Sequence, residues 1–302
     1  VGRGGDIQIT ATEAIDILQT DTFPNLSTIQ LPLDPILIRQ VQSAGITSLS
    51  TGQSSGHIQL FTKALTLAHQ GLIASASLGA GPGGDFTLQA ESVLLDNSYI
   101  AASSYAQGDA GNISISSQTL ATLGNSLIST FAAAEGNAGN ININATDSIQ
   151  LQGTSVTGEL FVIGLAAGSL PGASGSSGTI EIETGSLTLD QNVELSTSAL
   201  GTGNGGDITI NSDRIRLTNQ GFISSISTVG NGGKISLNVA DTFEIVGTGT
   251  DLAVTLAQTP SSRLTEHEFI PVLPNLQRLG VSSFALGGTA GDIALNAQTV
   301  RL

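Results

Sequence analysis

Apolar and polar positions alternate in a short motif that recurs along the whole chain. The motif is a glycine, a variable residue, and then two apolar residues separated by one polar or small residue. Both apolar positions are filled in all nine copies, which is the period-two pattern of a strand with one buried face. The opening glycines are Gly5, Gly56, Gly84, Gly111, Gly139, Gly178, Gly206, Gly233 and Gly291.

Two further strand-like runs follow the motif within a repeat. In the third repeat, Phe86 and Leu88 are followed by the apolar pair Val93 and Leu95, and then by the run at 99–102. This order predicts three short strands per repeat, separated by turns. One such layer cannot bury its own apolar face, so the repeats must stack.

The spacing of the glycines favours parallel stacking. Five of the eight intervals between them are 27 or 28 residues, and the other three are 51, 39 and 58. A four-stranded propeller blade usually needs ~40 residues or more, and the short repeats lack Asn-Gly hairpin turns. We therefore predict an all-β fold, a right-handed parallel β-helix of about nine coils, the hand following from the crossover preference.

The first, fifth and eighth repeats differ from the others. Each has one extra residue before its second strand, an acidic residue at a shared offset, and an insertion after it. The acidic residues are Glu13, Asp147 and Asp241, and the insertions lie at about 20–48, 158–174 and 248–287. The shared offset indicates that the three exceptions are part of the architecture.

The insertions are predicted to leave the solenoid. They hold seven of the eight prolines, and proline cannot donate to a strand ladder. Residues 34–41 predict a short helix with Pro35 at its first position. Such excursions often carry function, although they could instead only cover the flank of the rod. The candidate contact residues in them are Arg39, Arg263, Glu266, His267, Glu268 and Arg278.

Composition narrows the classes of function. Cysteine, methionine and tryptophan are absent and aromatics make up 4%, which suits many thin aliphatic layers better than one globular core. The net charge of −15 argues against a nucleic-acid partner and against docking on anionic lipid. No apolar stretch is long enough to predict a membrane span.

The residue after each opening glycine forms a row along the predicted rod. No two acidic residues are neighbours in this row, whereas a calcium row would need clustered carboxylates. Stacked amides share hydrogen bonds, so we predict a structural turn row. Its members are Asp6, His57, Asp85, Asn112, Asn140, Thr179, Asp207, Lys234 and Asp292.

Other titratable groups give no stronger signal. The cluster at 266–268 would need a further ligand from elsewhere to hold a metal. Glu181 and Glu183 are the nearest carboxylate pair for a glycosidase, but Glu183 follows Ile182 on an exposed strand edge. We therefore predict no catalytic residue, no metal site and no cofactor.

Four segments carry a resemblance to a known family. They are Gly-Asp-Ala-Gly-Asn-Ile at 108–113, the runs at 136–145 and 201–210, and Asp-Ser-Ile-Gln-Leu-Gln-Gly-Thr-Ser at 147–155. These segments resemble the repeat region of filamentous haemagglutinin-like proteins exported by two-partner secretion, especially cyanobacterial members. The resemblance covers nearly the whole chain outside the first and third insertions.

The resemblance implies a right-handed β-helix at the surface of a Gram-negative cell, carried across the outer membrane by a partner transporter. Adhesive or surface-coat roles are typical of that family. Because the sequence opens and closes inside repeats, we expect one β-helix segment of a longer protein.

The leading hypothesis is a non-catalytic structural and adhesive rod whose insertions contact a glycan, another cell-surface ligand or a second copy. One alternative is a polysaccharide-degrading β-helix enzyme, which would gather charged residues in one groove. Another is a phage-type fibre segment, which would form a trimer.

Overall fold

The computed structural model describes residues 2–18, 45–154, 163–247, 254–259 and 279–302, with the backbone alone at 254–259. The described residues form 21 β-strands and no helix. The helix predicted at 34–41 lies outside them. The strands are β1 (Ile7–Thr10), β2 (Ala14–Leu18), β3 (Gly45–Ser50), β4 (Ile58–Phe61), β5 (Ala64–Ala68), β6 (Leu72–Ser77), β7 (Phe86–Gln89), β8 (Ser92–Asp96), β9 (Tyr99–Ser104), β10 (Ile113–Leu123), β11 (Leu127–Ala132), β12 (Ile141–Gln152), β13 (Gly164–Ser169), β14 (Ile180–Asp190), β15 (Glu194–Ala199), β16 (Ile208–Thr218), β17 (Phe222–Ser227), β18 (Ile235–Val246), β19 (Val254–Thr259), β20 (Leu279–Ala285) and β21 (Ile293–Arg301).

The strands lie in two sheets, and every pairing among the described strands is parallel. The broad sheet has the order β1-β4-β7-β10-β12-β14-β16-β18-β21, and a branch in the order β2-β5-β8 joins it where β8 pairs with β10. The narrow sheet has the order β19-β20-β17-β15-β13-β11-β9-β6-β3. Equivalent strands of successive coils are neighbours, so the chain folds as a parallel β-helix.

The first and second strands of a coil are separate only at the start of the rod. In the first three coils they are distinct, as predicted. In the later coils a single strand of 9 to 12 residues covers both positions, namely β10, β12, β14, β16, β18 or β21. The backbone of these later coils pairs with its neighbours on both sides of the junction. The broad sheet is therefore continuous across the junction in these coils.

The apolar positions of the repeat form one continuous core. In most coils the core includes the two motif positions, the second apolar pair and one inward position of the narrow sheet, as at Ile208, Ile210, Ile215, Leu217 and Ile223. Each buried aliphatic side chain contributes at most about 1.5–3 kcal/mol, so stability is spread along the rod. At the ends, residues such as Ile7 and Ile293 are only partly buried because a coil covers them on one side alone.

Close stacking explains the opening glycines. A Cβ atom on Gly139 would lie 1.9 Å from the carbonyl oxygen of Gly111 in the preceding coil. The same clash, at 1.9–2.1 Å, would occur at the opening glycine of every later and earlier coil except the first. At Gly5, which has no coil beneath it in the described chain, a Cβ would meet nothing within 4 Å.

The extra residue of the exceptional coils is accommodated as a local irregularity. In β12 and in β18, two residues lie opposite one on both neighbouring strands, at the junction between the first and second strand positions of the coil. In the first coil, Thr10 pairs with Phe61 and Ala14 pairs with Ala64. The first coil therefore advances four residues where the second advances three.

All three insertions depart from one corner of the solenoid, between the second and the third strand of a coil. The chain returns at β3, β13 and β20, each of which pairs in the narrow sheet. The solenoid thus includes residues 45–48, 164–169 and 279–285, and each predicted insertion is shorter by the residues of its returning strand. Within the third range, the backbone of β19 pairs with β20 at the end of the narrow sheet.

Candidate functional site

The turn row joins one coil to the next through hydrogen bonds. Asp6 Oδ1 accepts from the backbone amide of His57 at 2.9 Å, and His57 Nδ1 accepts from the amide of Asp85 at 3.0 Å. The same contact, at 2.7–2.9 Å, links Asp85 to Asn112, Asn112 to Asn140, Asn140 to Thr179, and Asp207 to Lys234. These side chains are therefore engaged in coil stacking.

A second turn row lies three residues earlier in the repeat, and the sequence reasoning missed it. In each of its contacts a side-chain oxygen accepts from the backbone amide of the next coil, at 2.7–3.1 Å. Its signal in the sequence was a second Asp or Asn before the glycine, as in Asp109-Ala-Gly-Asn. Its members are Asp109, Asn137, Ser176, Asn204, Asn231 and Thr289.

Buried hydroxyls form a third row inside the solenoid. Ser225 Oγ donates to the carbonyl oxygen of Gly206 at 3.0 Å and accepts from the amide of Gly233 at 2.8 Å. The hydroxyls of Ser48, Ser75 and Ser283 bridge two opening glycines in the same way. The fourth residue of the third strand is often Ser or Thr, which was the available signal.

The acidic residues of the exceptional coils lie at the junction between the first and second strand positions of the broad sheet. Glu13 pairs with Lys63 at 2.9 Å, and Asp241 pairs with Arg214 at 2.9 Å. The hydrogen bond from Arg214, assisted by one from Thr242, lowers the pKa of Asp241, and the same contact raises the pKa of Arg214. Asp147 accepts a hydrogen bond from Thr146 at 3.0 Å.

The narrow-sheet strands β6, β9, β11, β13, β15 and β17 are largely buried on their outward face as well as their inward face. Leu72, Ala74 and Ala101 form a small apolar cluster there, separate from the main core. The outward positions of β6 are Leu and Ala, and this lack of polar residues was the sequence signal for a face that is not open to solvent there.

Further along this face is a buried polar cluster that the sequence reasoning also missed. Glu194 is 9% exposed, and its Oε1 accepts a hydrogen bond from Ser224 Oγ at 2.5 Å. Ser196 Oγ lies 3.0 Å from Ser224 Oγ and 2.6 Å from Ser198 Oγ. The Ser224 hydroxyl thus gives this buried carboxyl group a hydrogen-bond partner, and Ser196 and Ser198 extend the cluster.

The candidate contact residues of the insertions lie outside the described residues. They are Arg39, Arg263, Glu266, His267, Glu268 and Arg278. In the described part of the chain, no three His, Asp or Glu side chains are grouped as a metal site would require. No helix of the described residues is long and apolar enough to cross a membrane.

An open groove follows the junction between the first and second strand positions of the broad sheet along the fifth to ninth coils. It has a volume of about 820 Å³ and is lined mainly by Asn, Thr, Ser, Asp and Glu side chains. One wall is a row at the fifth residue after each opening glycine, called here the outer row. The outer row consists of Asn144, Glu183, Asn211, Asn238 and Asn296, all of them exposed.

Hydrogen bonds hold much of the outer row in line. Asn211 Oδ1 accepts from Asn238 Nδ2 at 2.9 Å, and Asn238 Oδ1 accepts from Asn296 Nδ2 at 3.1 Å. Asn144 Nδ2 donates to Glu183 Oε2 at 3.3 Å. The sequence offered Glu181 and Glu183 as a carboxylate pair. Glu183 lines the groove, whereas Glu181, which is exposed on the same strand, does not.

The fold and these rows define a parallel β-helix whose coils are joined by polar ladders. Comparison of the chain with protein-family models, with curated proteins and with solved structures found no match. The likeness to filamentous haemagglutinin-like proteins accordingly rests on the repeat segments themselves.

Proposed function

We propose that the chain is a non-catalytic structural rod with an adhesive role on the outside of a Gram-negative cell. One observation carries the proposal: many polar side chains form hydrogen bonds between successive coils on several lines along the rod. Such ladders make a stiff scaffold, because each coil is tied to its neighbours at the turns, in the interior and on the surface.

Glu183, of the carboxylate pair considered for a glycosidase, accepts a hydrogen bond from Asn144, and other titratable side chains also have structural partners. Glu13 and Asp241 are in ion pairs with the adjacent coil, and His57 lies within the turn row. A general acid or nucleophile must instead be free to reach a substrate.

The cell-surface setting rests on the resemblance of the repeats. By that resemblance, a full-length protein would cross the outer membrane through a two-partner secretion transporter. Protease treatment of intact cells that express the full-length protein tests this, because the rod should be cleaved without lysis. Protection of the rod until lysis would contradict the proposed location.

Catalysis and assembly can be tested on the chain itself. Incubation with a panel of polysaccharides should release no reducing ends and no unsaturated products. Release that is abolished by Glu183→Gln would instead establish the enzyme alternative. Small-angle scattering should give a monomeric rod, about 43 Å long for nine coils, whereas a trimer would indicate a fibre.

A further inference from the structure

We infer that the open groove beside the outer row is a binding site for an extended, uncharged glycan chain, whose hydroxyls form hydrogen bonds with the outer row. This inference deepens the proposed adhesive function and rests on it. It also moves the expected contact site from the insertions to the solenoid wall.

The shape of the groove selects an elongated ligand. The outer row advances by one residue per coil, and coils are about 4.8 Å apart, so its five members span about 19 Å. The hydrogen bonds along the row keep the amide groups at this regular spacing. A ligand that repeats along its length can therefore make the same contact at several coils.

The hydrogen-bonding capacity of the row matches hydroxyl groups. A side-chain amide has two N–H donors and an oxygen that accepts two hydrogen bonds. Asn238 uses one donor towards Asn211 and one acceptor position towards Asn296. Because Asn238 is exposed, its other donor and acceptor position are available together to solvent. A sugar hydroxyl, which both donates and accepts, can satisfy both.

The charges of the groove exclude polyanions. Glu183 and Asp213 line it, and its lining residues, all of them described, include no Lys or Arg. A uronate or phosphate polymer would be repelled, whereas carboxylates accept hydrogen bonds from neutral hydroxyls.

The backbone at the floor of the groove disfavours a peptide. An extended peptide usually adds to the free edge of a sheet, where backbone groups lack partners. Here β14, β16 and β18 are interior strands, each paired on both sides. The lining also contains no aromatic ring on which sugars could stack, so we expect weak binding at one coil that strengthens with chain length.

The test uses the whole chain and titration calorimetry with neutral hexasaccharides of glucose, xylose, mannose and N-acetylglucosamine, and with hexagalacturonate. The double variant Asn211→Ala/Asn238→Ala removes two central amides. Gln89→Ala is the matched control, since Gln89 is an exposed amide at the same repeat position in the third coil, outside the groove. Equal melting temperatures verify that the variants are folded.

We expect at least one neutral hexasaccharide to bind, and to bind more tightly than its trisaccharide. The double variant should bind it about tenfold more weakly, and Gln89→Ala within about twofold of the original chain. Absence of binding by every neutral probe, equal binding by the double variant, or equal binding of hexagalacturonate would each overturn the inference. Attachment to cells distinguishes this inference from the proposed function. If the double variant still attaches, the groove assignment fails while the adhesive function stands. Release of sugar products from any probe would instead overturn the proposed non-catalytic function.

Discussion

Ser225 offers a direct measure of what the buried hydroxyl row contributes to stability. Its side chain is fully buried, donates to the carbonyl oxygen of Gly206 and accepts from the amide of Gly233. Replacement by alanine removes one oxygen atom and leaves the packing almost unchanged. The effect of Ser225→Ala should therefore report on these two hydrogen bonds.

The two partners are not affected equally. The carbonyl oxygen of Gly206 keeps a second hydrogen bond, from Thr197 Oγ1 at 2.6 Å, whereas the amide of Gly233 loses its acceptor. A buried donor without a partner costs about 1–3 kcal/mol. Alanine already occupies the equivalent position at Ala102 and Ala167, so the coil tolerates it. We therefore expect the lower half of that range, about 1–2 kcal/mol.

Denaturant unfolding, followed by circular dichroism, measures this loss. The midpoint should fall while the slope stays constant, because the surface exposed on unfolding does not change. Ser104→Ala is the matched control: it makes the same change in a third strand, at a buried hydroxyl for which the described residues provide no partner. That control should be neutral or slightly stabilising.

Hydrogen exchange adds a local measurement. The amide of Gly233 should exchange faster in Ser225→Ala, and the rest of the rod should change little. Equal stability of Ser225→Ala and the original chain would refute the role assigned to the row. An equal loss in Ser104→Ala would show that serine in a third strand matters for another reason.

Three further predictions address other features of the rod. Gly139→Ala should lower the free energy of unfolding by at least about 1–3 kcal/mol because its Cβ meets backbone at 1.9 Å, whereas Gly5→Ala, with open space, should change it little; similar melting temperatures would contradict the stacking argument. Asp241 should titrate below its ordinary range, since Arg214 lowers its pKa; the stability difference from Arg214→Gln should be present above about pH 4 and vanish as the pH falls through the folded-state pKa, and an unshifted carboxyl resonance titration would argue against the pair. Asn140→Ala should cost about 0.5–1.5 kcal/mol by removing the acceptor for the next coil's amide, while Asn140→Asp, which keeps that acceptor, should unfold near the original midpoint.

Local alternation and the regular spacing of the opening glycines were enough to predict the fold and most of its core. The residues Ile208 and Ile210 are inward because a strand exposes alternate faces, and this rule needs no knowledge of the neighbouring coil. The extra residue before the second strand was likewise readable as a count, and it lies at the irregularities of β12 and β18. The turn row was predicted as a set of residues, although not its pattern of side-chain acceptors and backbone donors.

What only the tertiary structure decided depends on contacts between residues far apart in the sequence. Asn211 and Asn238 are separated by 27 positions, and Asn238 and Asn296 by 58, so the outer row exists only once the coils stack in register. The burial of Glu194 likewise depends on the tertiary structure, because Glu194 lies on the buried outward face of the narrow sheet. The period of the sequence determined which residues face inward or outward, while stacking determined which of the outward ones share a ladder or a groove.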